Sequence, residues 1–216
     1  MENKESILDN LLLNCRRKNF TGFDPYDVLN SSCTSFLSSF PNISVALTQF
    51  FKYSPVNMRY LLKVKKSKGP KDTALFVISY LNQYERTQRK QYLALATSLV
   101  RDLFKLKLSD SNFWGSSFDF QIRGKFSSST EPNSISTVFC VLALIKYYSI
   151  VKSKFVLENI VKIRRSFFEE LLDPNEESFF LYSKDRKNII INSNALILSF
   201  LYQSHLYSPM SNSHLK

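Results

Sequence analysis

Apolar side chains recur at helical spacing along most of the chain. Ile7, Leu8, Leu11 and Leu12 line one face of a helix expected over residues 3–17. Pro41 heads a second helix carrying Ile43, Ala46, Leu47, Phe50 and Phe51, since proline is tolerated in a first turn whose N–H groups lack partners. Pro55 is expected to restart a shorter helix after Ser54. Lys68-Gly69-Pro70 is a clear breaker. Beyond it Ala74, Leu75, Ile78 and Leu81 mark one helix, and Tyr92, Leu95, Leu99, Leu103 and Leu106 the next. Val138, Val141, Leu142 and Ile145, then Phe155, Ile160, Ile163, Phe167 and Leu171, mark two more, and Ala195–Tyr207 is helical again. Ser178–Ile191 (SFFLYSKDRKNIII) reads as extended around a polar turn, consistent with one small β-hairpin near 178–191. No other strand is expected. The class is all-α.

The helices also repeat. ALFVISYLNQYERTQRKQYLALATSLVRDLF resembles TVFCVLALIKYYSIVKSKFVLENIVKIRRSFF at a shift of 63 residues, which places Phe76 on Phe139, Leu81 on Leu144, Tyr84 on Tyr147 and Phe104 on Phe167. Helix-pair repeats at 72–107, 134–172 and 193 to the end then form a single domain over 1–216. One pair cannot bury its own apolar face, so pairs stack into a solenoid or close into an α/α toroid. Tetratricopeptide and HEAT units take ~34 and ~40–47 residues. The long, aromatic-rich linkers here fit a toroid better, because its loops build a central cavity.

Composition narrows the chemistry. With 216 residues, 44% of them hydrophobic, the chain can bury one substantial core. The longest apolar run, Val138–Ile145, is halted by Lys146, short of the ~20 residues of a spanning helix. The acidic N-terminus (Glu2, Glu5, Asp9) carries no signal pattern, and Cys15, Cys33 and Cys140 fall in no ligand spacing. Free thiols, a cytoplasmic location, no metal and no cofactor are the expectations. The net charge of +11 gathers in short clusters at Arg16–Lys18, Lys63–Lys68 and Lys184–Lys187. These read as solvated surface or as a face for an anionic ligand or membrane; no motif for specific nucleic-acid binding accompanies them.

One segment carries most of the polar chemistry. Phe113–Arg123, FWGSSFDFQIR, holds the only Trp and resembles the WGxxFDWQSR segment of a bacterial and archaeal family of α/α-toroid proteins associated with polysaccharide biosynthesis. Phe23–Ser31, FDPYDVLNS, is similar to that family's DPYDxLNS segment, Lys68–Lys71 with Ala74-Leu75-Phe76 to its NPKGxALF helix start, and Ser178–Ala195 to its FSYS…VHNAN segment. The resemblance implies a six-hairpin glycosidase-like architecture, a carbohydrate ligand, and a chain matching only the N-terminal half, about three and a half hairpins. A second polypeptide completing the toroid, or self-association, follows as an expectation. Some relatives carry the label delta-aminolevulinic acid dehydratase, but an all-α pattern cannot form the (β/α)8 barrel that activity implies. Two departures stand out: Phe120 and Ile122 replace Trp and Ser of FDWQSR, and Ile191 replaces the imidazole of VHNAN.

Each candidate residue has two readings. Asp24, Asp27 and Asp119 are the catalytic candidates, since a glycosidase needs two carboxylates ~5–9.5 Å apart. Asp24-Pro25-Tyr26-Asp27 equally makes a turn held by its own side chains. Tyr26, Asn30, Trp114, Phe118, Gln121 and Arg123 are ligand-binding candidates, with aromatic faces for sugar rings and polar groups for hydroxyls. Asp119 and Arg123 also form an i, i+4 pair that salt-bridges in water. Asn192 and Asn194 are read as a helix N-cap or as ligand contacts. Three functions remain open: a protein that binds or processes carbohydrate, a helical protein-interaction module, and an inactive fragment of a split toroid enzyme.

Overall fold

The structure, a computed structural model, describes residues 2–122, 125–175, 179–183 and 190–209, with only the backbone given for residues 2–6, 122 and 125. Among the described residues there are seven α-helices and one two-stranded sheet. The chain divides into two compact units, one made of residues 1–69 with 117–129, the other of 70–116 with 130–216.

The first unit contains α1 (Glu2–Arg17), α2 (Pro41–Tyr53), 3-10 turns at Asp27–Leu29 and Ser35–Ser39, and the sheet. Helix α1 forms where its period places it, yet Ile7, Leu8 and Leu11 on its apolar face remain half exposed or more. Helix α2 starts on Pro41. Pro55 restarts no helix: residues 55–63 are bends and turns. Asn57 Oδ1 accepts from Arg59 N–H at 3.2 Å, a side-chain bond that competes with helix formation, while Lys63 sits in the left-handed region at φ 51°. The core is small. Val28, Leu29 and Phe51 are buried together, with Leu37, Leu47, Met58, Leu62 and Phe126 packed around them.

The sheet corrects the expectation that the centre of the chain lacks strands. β1 (Phe120–Ile122) and β2 (Lys125–Ser127) pair antiparallel, Phe120 opposite Ser127 and Gln121 opposite Phe126. Phe126 thereby reaches the small core, and the hairpin packs on α2 and on the Asp27–Leu29 turn. Half of the hairpin expected near 178–191 lies outside the described residues; within them an isolated bridge joins Leu172 to Phe180, and Ile191 heads a helix.

The second unit is built of helix pairs: α3 (Pro70–Thr87) with α4 (Lys90–Lys105), then α5 (Ser134–Val151) with α6 (Lys154–Glu170), followed by α7 (Ile191–Tyr207). Both pairs turn on a single left-handed residue, Gln88 and Lys152, each at φ 56°. Helix starts and turn residues of the two pairs are therefore offset by 64 (134 − 70, 152 − 88, 154 − 90), not by the 63 read from the sequence. Burial agrees with this register. Thr73 and Thr137, Ala74 and Val138, Val77 and Val141, Leu81 and Ile145, Leu99 and Ile163, and Leu103 and Phe167 are buried two by two. A shift of 63 aligns identical aromatics, but one residue turns a helix by ~100°, and in the α4 and α6 pair it sets buried Tyr92 on exposed Phe155.

Helices α3, α5 and α7 lie side by side, with α5 between the other two. Asn133 caps α5, its side chain accepting from Ser136 N–H at 2.9 Å. Among the described residues α5 is the one helix long and apolar enough to cross a membrane, with mean hydropathy 1.7 over 18 residues. Half of that span is buried by its neighbours, as in a central core helix.

Candidate functional site

The DPYD segment folds as a self-locked turn in the first unit. Asp24 Oδ1 accepts from Tyr26 N–H at 2.9 Å, and Asp27 Oδ2 accepts from Asp24 N–H at 2.9 Å. Proline at position 25 keeps Asp24 out of the helical region and so shapes this turn. Arg59 closes it from a distance of 32 residues in sequence: Nε lies 3.0 Å from Asp27 Oδ1, and an Nη donates to Asp24 O at 3.0 Å. Asp27 is 1% exposed and ion-paired. Burial raises its pKa above 3.8, against the Asp24 N–H and the Arg59 guanidinium, both of which favour the carboxylate. Asn30 anchors the next stretch, Nδ2 donating to Lys65 O at 2.9 Å while its own carbonyl accepts from Lys65 N–H at 2.9 Å.

The outer edge of this turn is chemically different. Lys52 Nζ donates to Tyr26 Oη at 3.0 Å and stands 5.1 Å from the Tyr26 ring and 5.3 Å from the Tyr53 ring. The hydrogen bond to Tyr26 raises the Lys52 ammonium above its ordinary pKa. A hydroxyl, an ammonium and aromatic faces are thus presented together at the surface.

Trp114 and the residues after it part company. Trp114, in the second unit, is completely buried; its Nε1 donates to Leu103 O at 2.7 Å and its own N–H donates to Thr137 Oγ1 at 3.0 Å. Asn133 N–H returns to Trp114 O at 2.9 Å, and Phe113 packs edge-on against Phe167, so both aromatics are core residues. Phe118, Asp119 and Gln121 belong to the first unit. Asp119 Oδ1 accepts from Ser129 N–H and Oγ, both at 2.7 Å, and so closes the base of the hairpin. Phe118 meets Phe120 edge-on and is partly exposed, whereas Gln121 is buried. Arg123 lies outside the described residues.

Asn192 and Asn194 do not cap α7, because the helix begins at Ile191 and both sit inside its first turn. Asn192 is exposed. Asn194 clamps the backbone of Phe180, accepting from its N–H at 2.7 Å and donating to its carbonyl at 3.0 Å. Sequence reasoning missed Arg59 and Lys52. Neither sits in a motif, and each becomes informative only when the fold brings it to Asp27 or Tyr26. A shallow depression of about 330 Å³ on α6, lined by Leu157, Val161, Lys162 and Arg165 among others, contains none of the candidate residues. Among the described residues no cluster of His, Cys, Asp and Glu could hold a metal.

Both carboxylates of the DPYD turn are engaged by groups of the turn itself and by Arg59. A glycosidase needs two carboxyl groups flanking the scissile bond, one as acid and the other as base or nucleophile.

No protein-family model matches the sequence, and no curated protein matches it either. Solved structures do match. A glycoside hydrolase family 76 mannosidase from Bacteroides thetaiotaomicron is 16% identical, with a TM-score of 0.51, over 69% of this chain and 42% of that one. Cellobiose 2-epimerase from Bacillus thermoamylovorans is 12% identical, TM-score 0.51, over 85% of this chain and 56% of that one. An inactive variant of an α-1,6-mannanase from Salegentibacter sp., in complex with α-1,6-mannotriose, is 14% identical, TM-score 0.51, over 89% and 57%. The fold is that of a partial all-α toroid. The chain spans about half the length of these structures.

Proposed function

We propose that the protein binds carbohydrate, as part of a toroid that binds or processes a polysaccharide or its precursor in cell-surface polysaccharide biosynthesis, in the cytoplasm. The observation that supports this best is the stacked row α3–α5–α7, in a fold shared with a mannosidase, an α-1,6-mannanase variant bound to mannotriose and a cellobiose 2-epimerase. The fold supplies no reaction by itself. The DPYD turn with Lys52, and the linker with Phe118 and Asp119, supply the groups that hold a sugar: Tyr26 and Lys52 for hydroxyls, Phe118 as an apolar face, Asp119 as an acceptor. Asp24, Asp27 and Asn30 shape the loop that presents them. The ligand is an oligosaccharide, with no metal, cofactor or specific nucleic acid involved. Calorimetric titration with α-1,6-mannotriose and cellobiose tests this reading. Saturable binding weakened by Tyr26→Phe and by Asp119→Asn is expected; no binding to either sugar, or binding indifferent to both substitutions, overturns the assignment.

A second reading concerns completeness. Helix α7 buries Ile197, Phe200 and Leu201 but leaves Ile191, Leu198, Tyr202 and Leu206 exposed by 61–69% on another face. Spacings of 7, 4 and 4 residues set these four in one stripe. Further helices, from a second polypeptide or a second copy, are proposed to cover it. Leu198→Ser with Tyr202→Ser is expected to abolish self-association of the purified chain and to lower its binding of an apolar-surface dye. A monodisperse monomer that binds no dye refutes this.

A further inference from the structure

The segment from Lys52 to Lys68, KYSPVNMRYLLKVKKSK, contains six cations and no carboxylate, and no Asp or Glu occurs anywhere between Val28 and Lys71. The same segment holds four of the most exposed large apolar side chains of the described chain: Tyr53 at 74%, Leu61 at 73%, Tyr60 at 71% and Val56 at 67%. An exposed apolar side chain is ordinary by itself. Four within nine residues, followed at once by Lys63, Lys65 and Lys66 in a segment without a carboxylate, are not.

The fold joins the two features into one surface. Phe23 is the junction: Tyr60 meets its ring edge-on at 5.7 Å, and Arg59 and Lys66 stand 5.8 and 5.5 Å from its centroid. Lys52 bridges Tyr26 and Tyr53 in the same way. The basic segment is itself fixed, Ser67 exchanging backbone hydrogen bonds with Gly22 at 2.9 and 3.0 Å, and Lys65 donating its N–H to Asn30 O and accepting from the Asn30 side-chain amide, both at 2.9 Å. The Tyr60–Leu61 tip and the Lys63–Lys66 run are therefore held side by side. Arg59 is paired with Asp27, so the field at this surface is carried chiefly by Lys63, Lys65 and Lys66.

We propose that this surface docks the protein on an anionic lipid bilayer, with the Tyr53, Val56, Tyr60 and Leu61 side chains entering the headgroup region and the lysines contacting lipid phosphates. Charge complementarity selects a polyanionic partner, and the aliphatic members select a bilayer among polyanions. A charged glycan stacks on Tyr rings but offers Val56 and Leu61 nothing, whereas a membrane interface takes aromatic and aliphatic tips together beside basic residues. This surface adjoins the proposed sugar site at Lys52, which stands over both Tyr26 and Tyr53, and a vesicle assay without sugar tests it separately.

The test is flotation of the purified full chain with phosphatidylcholine vesicles, with and without phosphatidylglycerol, at low and high salt. Flotation with the anionic vesicles alone is expected, with partitioning reduced at least about tenfold by high salt or by K63E/K65E/K66E. Tyr60→Ser with Leu61→Ser is expected to weaken partitioning several-fold while far-UV circular dichroism and the melting temperature stay at parental values. Failure to float with anionic vesicles overturns the proposal. So does binding to soluble heparin as strongly as to vesicles and indifferent to the Tyr60/Leu61 pair, which assigns the lysines to a polyanionic chain. Self-association abolished by that pair, without vesicle binding, assigns the surface to a protein contact and overturns it too.

Discussion

Trp114→Ala is the most informative single perturbation of the second unit. Trp114 is completely buried, and its indole N–H donates to Leu103 O, the carbonyl that also accepts from Leu106 N–H at the end of α4. Truncation removes a large side chain from a close-packed site, at a cost of ~3–5 kcal/mol for lost contacts and cavity. Leu103 O keeps its Leu106 partner, so the hydrogen-bond part is small, about 1 kcal/mol. Trp114→Phe separates the two contributions, because it retains most of the apolar volume and loses the indole donor. In a chain of this size each kcal/mol moves the melting temperature by roughly 2–4 °C. Trp114→Ala is therefore expected to lower it by about 6–20 °C, against a total stability of ~5–15 kcal/mol, and Trp114→Phe by much less. Far-UV circular dichroism is the appropriate probe, since both substitutions remove the only tryptophan. An alanine variant that melts with the parent would refute a core role and return Trp114 to the surface as a platform for a ligand.

Three further outcomes follow from single sites. Because burial raises the Asp27 pKa above 3.8, the folded protein holds a proton that the unfolded chain has released just above that value; the contribution of Asp27 to stability is full below 3.8 and lost as pH rises through the folded pKa. Asp27→Asn is expected to flatten the pH dependence of urea-unfolding free energy in that window, and an unchanged slope contradicts the assignment. Asn194→Ala leaves the N–H and C=O of Phe180 without their clamp, at about 1–3 kcal/mol for each orphaned group, to be read as a lower urea midpoint; a midpoint within error of the parent contradicts it. Burial pushes the Cys140 thiol up, so thiol titration of the folded chain should modify exposed Cys33 quickly and Cys140 only on unfolding, and rapid reaction at all three cysteines refutes this.

The helices were legible because the apolar period of 3.6 is strong where a helix has a wet and a dry side. Helix α3 starts at Pro70, two residues ahead of the expected boundary, and the α4 and α6 patterns fall on observed helices. What failed was local in origin and tertiary in cause. Pro55 resembles Pro41, yet the Asn57 side chain takes the Arg59 N–H that a helical turn would bond to its own backbone. The 120–127 hairpin has strands of three residues each, too short for a two-residue period to register, and it is held by Asp119 at its base and Phe126 in the core. The aspartates of DPYD were found, but their fate was set by Arg59, whose approach no spacing rule encodes.

Helices α5 and α7 show how far composition can be trusted. Apart from Lys146 in α5, neither carries an Asp, Glu, Lys or Arg, and both are apolar around most of their circumference. For α5 the structure supplies the reason, since α3 and α7 cover opposite sides and α4 and α6 also pack on it. For α7, α5 and α6 cover the side bearing Ile197, Phe200 and Leu201, while Leu198, Tyr202 and Leu206 face solvent. A helix selected for one wet face would have placed charges there, as α4 does with Lys90, Arg101 and Lys105. Fully burying an exposed leucine or tyrosine is worth ~1.5–3 kcal/mol, so covering this stripe contributes on the scale of the stability of a whole domain. That exposed stripe is the surface which the proposed completing helices would cover.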